Sequence, residues 1–262
     1  MRLELRSVDD VGSYPVWTEA ICDGEAVICY GKLNEKLLTL CLRRNIPLVV
    51  ISETDEMPVD VPTAETDGQD MVYWNARQHL SVMLDHLVLQ GAKRLAFVSS
   101  CNIKANHPEY FAIEAEAKIA CFREFLAAHR EVDGQLLCPS TEDNATSLDY
   151  EARNTFEFLK GIDLRQFDAV AGHNDAVAQG AAWALLHQGL RTGRDVMVSG
   201  EGDYLHCRHA IPQITSISYD KGMMANEICR LLKRKLRNNR SCGERILIPS
   251  RLIGRESTGF NC

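Results

Sequence analysis

The chain has 262 residues, 45% of them hydrophobic and 25% charged, which is the composition of a globular protein with a substantial core. Its formal net charge of −7 excludes a global basic field that would attract nucleic acid or an anionic membrane. There is no apolar run of membrane-spanning length, and the first residues, MRLELRSVDD, lack the features of a secretory signal. We therefore expect a cytoplasmic protein with no membrane partner.

The ten cysteines are scattered along the chain, and no CxxC motif occurs. They suit either a disulfide framework or free thiols inside strand-like and helix-like segments. Several of them lie in apolar segments, and cysteine without a disulfide is among the most often buried residue types. We predict free thiols in a reducing compartment, in agreement with a cytoplasmic location.

Apolar segments of strand length alternate with helical patterns through most of the chain. The predicted strands are EAVICYG (25–31), IPLVVIS (46–52), KRLAFVSS (93–100), QLLCPS (135–140), FDAVAG (167–172) and DVMVSG (195–200). The predicted helices cover 34–45, 76–90, 111–129, 149–161 and 176–190. Gly91 is expected to end the second helix, and residues 53–68, which contain Pro58 and Pro62, are expected to form a loop.

The C-terminal part of the chain has a different pattern. ITSISY predicts a strand over 214–219, followed by a tight turn at 220–222 and a helix, and RILIPSRLIGRES (245–257) predicts one or two closing strands. The basic stretch KRKLRNNR (233–240) suits either a nucleic-acid patch or the solvated end of an amphipathic helix. We prefer the helix end, since cations also favour the C-terminal end of the helix dipole.

Strands that alternate with helices indicate parallel βαβ units, whose ligands bind at the carboxyl ends of the strands. The residues that directly follow the predicted strands are therefore candidates for a binding site. They are Tyr30, Ser52, Ser99, Ser100, the triplet His173-Asn174-Asp175 and the loop from Glu201 to Asp203. Hydroxyls, amides and a few charges at such an edge suit a polyhydroxylated small molecule better than bond-breaking chemistry.

Motifs for catalysis and for cofactor or metal binding are missing. There is no Walker loop, no GxSxG elbow and no HExxH sequence. SGEGDYL (199–205) has Leu205 where a dinucleotide loop needs its third glycine, and HCRH (206–209) matches no usual zinc spacing and is taken as loop. We predict no catalytic residues, no metal and no cofactor.

Several segments resemble LacI/GalR-type regulators, in the same order. The stretch AVAGHNDAVAQGAAWALLHQGLRTGRDVMVSGEGD (169–203) is similar to the family's Asn-Asp pair, small-residue helix, Asp-Val strand and Gly-aromatic-Asp turn. LDHLVLQGAKRLAFVSS (84–100), KIACF (118–122), ITSISYD (214–220) and LIGREST (252–258) resemble further family segments. The match covers roughly 25–258, and its shared order is more specific than any single motif.

The resemblance implies a two-lobed, type I periplasmic-binding-protein-like α/β fold, in which each lobe is a parallel sheet flanked by helices and three crossovers join the lobes. The lobes would comprise 1–96 and 97–213, and 214–262 would form crossover strands that return to the first lobe. It also implies a homodimer that binds a sugar or related metabolite between the lobes. Binding would control operator recognition by a helix-turn-helix headpiece.

The resemblance, together with the positions at strand ends, suggests a set of effector-binding residues. They are Asn174, Lys118, Asp203, Ser52, Tyr30 and Tyr219. Lys118 stands where the family has an Arg, so the bidentate fork is lost, and the family's turn Asp falls on Gly202, next to Asp203. We expect Asp175 to be the N-cap of the following helix and Asn174 to face the effector.

The N-terminal part departs from the family's pattern. The residues before Glu25 do not predict two short helices with a basic face, and RLELRSV leads almost directly to the first predicted strand. We therefore expect the headpiece, and the first strand and helix of the first lobe, to be missing. On that expectation the chain binds no operator by itself.

Two other classes of protein share parts of this pattern. A periplasmic-type solute-binding protein for a sugar has the same fold, but it predicts a signal peptide and few cysteines. An α/β enzyme with a Cys or His nucleophile would need a reactive thiol, which the residue spacing does not support.

Overall fold

A computed structural model of the chain describes residues 26–30, 33, 35–59, 63–99, 108–139, 148–238 and 242–259. The strands are β1 Val27–Tyr30, β2 Leu48–Ser52, β3 Asp70–Tyr73, β4 Arg94–Val98, β5 Asp133–Leu137, β6 Ala169–Gly172, β7 Met197–Glu201, β8 Thr215–Tyr219, β9 Arg245–Leu247 and β10 Ser250–Ile253. The α-helices are α1 Glu35–Arg44, α2 Ala64–Asp67, α3 Ala76–Leu89, α4 Pro108–Ala128, α5 Leu148–Leu159, α6 Asp175–His187, α7 Leu205–His209 and α8 Lys221–Asn238. The expectations about the N-terminal segment lie outside the described residues.

The described residues form two compact units. The first unit contains the residues up to Trp74 together with Lys221–Ile248, and the second contains Asn75–Asp220 together with the residues from Pro249 onward. The chain therefore passes between the units three times, as the predicted fold class requires. The predicted boundaries differ from this division, because residues 75–96, residues 214–220 and the residues from Pro249 onward belong to the second unit, where β4, β8 and β10 pair in its sheet.

The first unit is built on a parallel sheet with the strand order β1-β2-β3-β9. Leu37, Leu38, Leu40 and Cys41 form the apolar face of α1 and pack against the sheet residues Cys29, Leu48, Val50 and Met71. Helix α8 contacts β2 and β3. The unit therefore has the α/β arrangement that the alternating sequence pattern predicts.

The second unit contains the larger sheet, with the strand order β10-β8-β7-β6-β4-β5. The pairings from β8 to β5 are parallel, and β10 runs antiparallel to β8. Successive strand residues face opposite sides, so Ala96, Val98 and Val170 pack with α5 and α6, whereas Leu95, Phe97 and Ala169 pack with α3 and α4. The predicted fold class, parallel sheets flanked by helices, is confirmed. None of the described helices has the length and apolar character to cross a bilayer.

The predicted loop over 53–68 needs correction. It contains the short helix α2, which has a capping box formed by Thr63 and Thr66, and it is followed by the unpredicted strand β3. Strand β3 begins with the fully buried Asp70, an unusual residue for a strand. Its carboxylate accepts hydrogen bonds from Arg234 and from the backbone N–H groups of Cys242 and Glu244. Contacts between segments far apart in the sequence thus stabilise a strand that local propensity disfavours.

The C-terminal part of the chain has a number of closing strands that the sequence left open. The predicted closing strands are two, and they join different sheets: β9 pairs with β3 in the first unit and β10 with β8 in the second. The helix interpretation of the basic stretch holds for its described part, since α8 extends to Asn238. Lys235, however, is buried rather than solvated, and its ammonium contacts the Leu48 carbonyl and Asp70.

Candidate functional site

The carboxyl ends of β4, β6, β7 and β8 lie at the same edge of the second unit's sheet, because these strands are parallel. This edge carries the residues that follow the strands, including His173, Asn174 and Asp203. Buried polar side chains from α3, α4 and α5 meet it: His79, Lys118 and Glu151 are all at most 1% exposed. Because buried polar groups require hydrogen-bond partners, the hydrogen bonds of these side chains show how this edge of the sheet is organised.

The N-cap of α6 is the other residue of the Asn-Asp pair from the one expected. The prediction that Asp175 is the N-cap is wrong, because Asn174 holds that position and its Oδ1 accepts a hydrogen bond from Val177 N at 3.0 Å. The side-chain amide of Asn174 also donates to Glu151 Oε2 at 2.7 Å. Asn174 therefore caps α6 and joins it to α5.

Asp175 is the first residue of α6 and is fully buried. Its Oδ1 accepts a hydrogen bond from Ser216 Oγ and its Oδ2 one from Tyr204 N, both at 2.7 Å. Burial raises the pKa of Asp175 above its ordinary value, although these hydrogen bonds oppose the shift. The carboxylate thus connects α6 to β8 and to the segment that follows β7.

A group of charged and polar residues surrounds the Lys118 ammonium, and we call it the Lys118 cluster. It consists of Lys118, Glu114, Glu201, His79 and His173. Lys118 Nζ forms an ion pair with Glu114, lies 2.7 Å from Glu201 Oε2, and donates to the backbone carbonyl of His173 at 2.9 Å. His79 Nδ1 lies 2.7 Å from Glu201 Oε1, and His173 Nε2 lies 3.5 Å from Glu114 Oε2.

The electrostatics of the cluster keep its charges ionised despite burial. Burial would lower the pKa of Lys118, but the charges of Glu114 and Glu201 outweigh it and raise that pKa above its ordinary value. Burial would likewise raise the pKa of Glu201, yet Lys118 and the hydrogen bond with His79 hold it below its ordinary value. Each ion therefore depends on its partners to remain charged in the interior.

Two other predicted effector residues of this unit occupy different surroundings. Asp203 has a positive φ of 50° and forms ion pairs with Arg255, at 2.5 Å, and with Arg208. These arginines hold the pKa of Asp203 below its ordinary value, although burial opposes the shift. Tyr219 ends β8, and its ring stacks on His79 with centroids 6.4 Å apart. Tyr219 thus adjoins the Lys118 cluster, whereas Asp203 forms ion pairs with two arginines outside that cluster.

Tyr30 and Ser52 lie in the first unit, at the ends of the adjacent strands β1 and β2. The Tyr30 ring is 57% exposed, stacks on Trp74 with centroids 6.1 Å apart, and its hydroxyl donates to Glu53 at 2.6 Å. Ser52 is buried, and its Oγ accepts a hydrogen bond from Thr54 N at 3.2 Å. Ser52 therefore orders its own loop, while Tyr30 presents an aromatic surface.

Sequence reasoning did not single out Glu114 and His79. Glu114 precedes Lys118 by four residues on a predicted helix, and this spacing, which brings opposite charges together, was a usable signal. His79 had no such signal, because its partner Glu201 is 122 residues away. HCRH, taken as loop, forms the short helix α7, and no metal-binding group of His, Cys, Asp or Glu occurs among the described residues.

The chain matches the family model of the periplasmic binding protein-like domain over residues 84–258. This match covers more than half of the chain, and the chain belongs to that family. Its fold is also that of solved LacI-family proteins. A LacI family transcriptional regulator from Arthrobacter sp. FB24, in complex with lactose, superposes with a TM-score of 0.71 at 19% identity, covering 97% of this chain and 86% of that one. The regulator from Enterococcus faecalis V583 with bound ribose gives a TM-score of 0.70 at 15% identity, covering 95% and 84%.

Among curated sequences, the HTH-type transcriptional repressor PurR of Klebsiella pneumoniae (strain 342) is 24% identical over 237 residues. That alignment covers 90% of this chain and 63% of the repressor, so the chain spans less than two thirds of its relative. The resemblance seen in the sequence agrees with these comparisons: the chain belongs to the periplasmic binding protein-like domain family and is similar to transcriptional regulators such as PurR.

Proposed function

We propose that the chain senses a sugar or sugar-like metabolite as part of a LacI/GalR-type transcriptional regulator. The observation that carries the proposal is the cluster of buried, ionised side chains that meets the carboxyl ends of the parallel strands in the second unit, because ligands of such sheets bind at that edge. The solved structures with lactose and ribose support a sugar as the effector class.

Effector recognition in this proposal uses the six predicted residues, of which Lys118 lies on a helix and the others follow or end strands. Asn174 offers a side-chain amide, Tyr219 and Tyr30 offer aromatic faces with hydroxyls, and Asp203 and Ser52 offer oxygen acceptors. Lys118 contributes charge to the edge. The regulator acts as a homodimer in the cytoplasm and contacts operator DNA through a helix-turn-helix headpiece. The described cysteines, which are free thiols, support a reducing location.

A binding role is also better supported than a catalytic one. Burial raises the pKa of the Cys29 thiol to about 12 and raises that of Cys207 as well, so neither is a thiolate at neutral pH. The relatives named above are transcriptional regulators. We therefore assign the chain no catalytic activity and no cofactor.

Calorimetric titration with a panel of sugars tests the proposal. Asn174→Ser keeps a cap oxygen for α6 but removes the amide, and we expect it to weaken binding of the best sugar about tenfold, which corresponds to about 1.4 kcal/mol. Asp163→Ala is the matched control, because Asp163 caps the 3₁₀ turn at Leu164–Gln166, before β6 and away from the carboxyl edge. Equal affinities of Asn174→Ser and the wild type, or no sugar binding at all, would contradict the proposal.

A further inference from the structure

The Lys118 ammonium has its donors committed to the protein. Lysine has three N–H donors and no acceptor. Three oxygens surround Lys118 Nζ: one from Glu114, one from Glu201 at 2.7 Å and the His173 carbonyl at 2.9 Å. Lys118 is 1% exposed, so its position is set by these contacts. The positive charge of Lys118 is therefore paired with the carboxylates of the cluster and does not provide a binding site for an anion.

The cluster as a whole is negative. It contains one ammonium, that of Lys118, and two carboxylates, those of Glu114 and Glu201, so these three groups sum to one negative charge. Two more buried carboxyl groups lie near the start of α6: Asp175 is its first residue, and Glu151 of α5 accepts a hydrogen bond from its N-cap residue, Asn174. In a buried setting the net charge of the ammonium and the two carboxylates of the cluster is poorly screened, and an anionic group placed next to it is repelled.

The histidines add acceptors to this edge. A carboxylate can only accept, so His79 must donate its Nδ1–H to Glu201, and its Nε2 is then the acceptor of the neutral ring. Among the described residues, neither His79 Nε2 nor His173 Nδ1 has a hydrogen-bond partner. Both rings are at least nine-tenths buried. Such atoms are best satisfied by hydroxyl or ammonium donors.

We propose that the effector presents hydrogen-bond donors, and no negative charge, to this edge: it is a neutral sugar or an amino sugar, and not a sugar phosphate. This inference rests on the proposed sugar-sensing function and specifies the effector's charge. Glu201 is the residue that sets this selectivity, because it bears the carboxylate between Lys118 and His79. Lys118 is a positioning residue that holds Glu201 and Glu114 in place.

Matched sets of ligands test the inference by calorimetry with the whole chain. The probes are glucose, glucosamine and glucose 6-phosphate; galactose, galactosamine and galactose 1-phosphate; and ribose with ribose 5-phosphate. We expect each sugar phosphate to bind at least tenfold more weakly than its parent sugar. Glu201→Gln removes the charge but keeps a carbonyl oxygen and the side-chain shape, and it should reduce that discrimination several-fold. Glu157→Gln, the same change at an exposed residue paired with Lys160, should leave it unchanged.

The possible outcomes separate the two proposals. A phosphate ester that binds as tightly as its parent sugar overturns the charge inference and leaves the sugar-sensing function intact. Discrimination that is identical in the wild type and Glu201→Gln overturns the role of Glu201. If no member of the panel binds, the proposed function fails, and the inference fails with it.

Discussion

Asn174 joins two helices of the second unit: it caps α6 by accepting from Val177 N, and it donates to Glu151 on α5 at 2.7 Å. Helices α5 and α6 also pack closely, since Gly180 of α6 lies against the backbone of Ala152. Asn174, which we propose contacts the effector, therefore also stabilises the fold, and its substitution should affect stability as well as the proposed binding. The two effects can be measured separately.

Asn174→Ala should destabilise the chain by about 2 kcal/mol, because it removes both the cap, worth about 1 kcal/mol, and the hydrogen bond to a buried carboxylate. Asn75→Ala is the matched control, since Asn75 caps α3 through Gln78 N at 3.0 Å and should cost only about 1 kcal/mol. Urea unfolding of the three proteins measures the difference. Equal losses for the two variants would show that the bond to Glu151 contributes nothing.

Asp175→Asn should change the pH dependence of stability in a definite direction. The folded-state pKa of Asp175 is raised above its unfolded value of about 3.9, so the stability it contributes is complete below that value and is lost as pH rises through the folded pKa. The wild type should therefore gain stability relative to Asp175→Asn as the pH falls from 7 towards 4. Unfolding curves at several pH values test this, and a difference that is constant or shrinks towards acid pH would contradict it.

Lys118→Met should destabilise the chain by about 3–5 kcal/mol, because it leaves Glu114 and Glu201 buried without the cation that offsets their charges. Lys160→Met, which removes an exposed lysine paired with Glu157, should change stability by less than about 1 kcal/mol. In the double variant Lys118→Met/Glu201→Gln, the loss should be smaller than the sum of the single losses by at least about 1 kcal/mol. Additive losses in denaturant unfolding would show that the two side chains are not coupled.

Gly180→Ala should destabilise the chain by about 1–3 kcal/mol, although alanine is the better helix former by about 1 kcal/mol. A Cβ at this position would lie 2.3 Å from the Ala152 carbonyl and 2.7 Å from Thr155 Cβ, so α5 and α6 would have to separate. At Gly161 an added Cβ has no heavy atom nearer than 4.0 Å, and Gly161→Ala should be almost neutral. A melting temperature that rises in Gly180→Ala would refute the close packing.

Much of the second unit can be predicted from its sequence because the signals are local. The small apolar residues of β6 and α6 indicate a buried strand and a helix packed closely on its neighbours, and both are present. Gly91, expected to end α3, has the positive φ of 99° that favours glycine at such an end. Strand β3 could not be predicted, because Asp70 disfavours a strand locally and is stabilised by Arg234, which is 164 residues away.

The candidate site shows the same division between local and distant causes. Its position at the carboxyl ends of parallel strands follows from the alternation of strands and helices, which the sequence displays directly. The roles of Asn174 and Asp175 do not follow, because either residue type can cap a helix and the choice depends on where each side chain finds a partner. The Asp175 carboxylate accepts hydrogen bonds from Ser216 and Tyr204, and Asn174 therefore caps α6.

By itself the sequence determined the α/β class, most of the strands and helices, the edge that carries the candidate site and the resemblance to LacI/GalR-type regulators, because periodicity and motif order are properties of the chain. Only the tertiary structure decided that β9 and β10 separate into different sheets, and that Lys118 is enclosed by Glu114, Glu201 and the His173 carbonyl. The physical reason is that burial makes a charge depend on its partners, and those partners come from distant segments that only folding brings together.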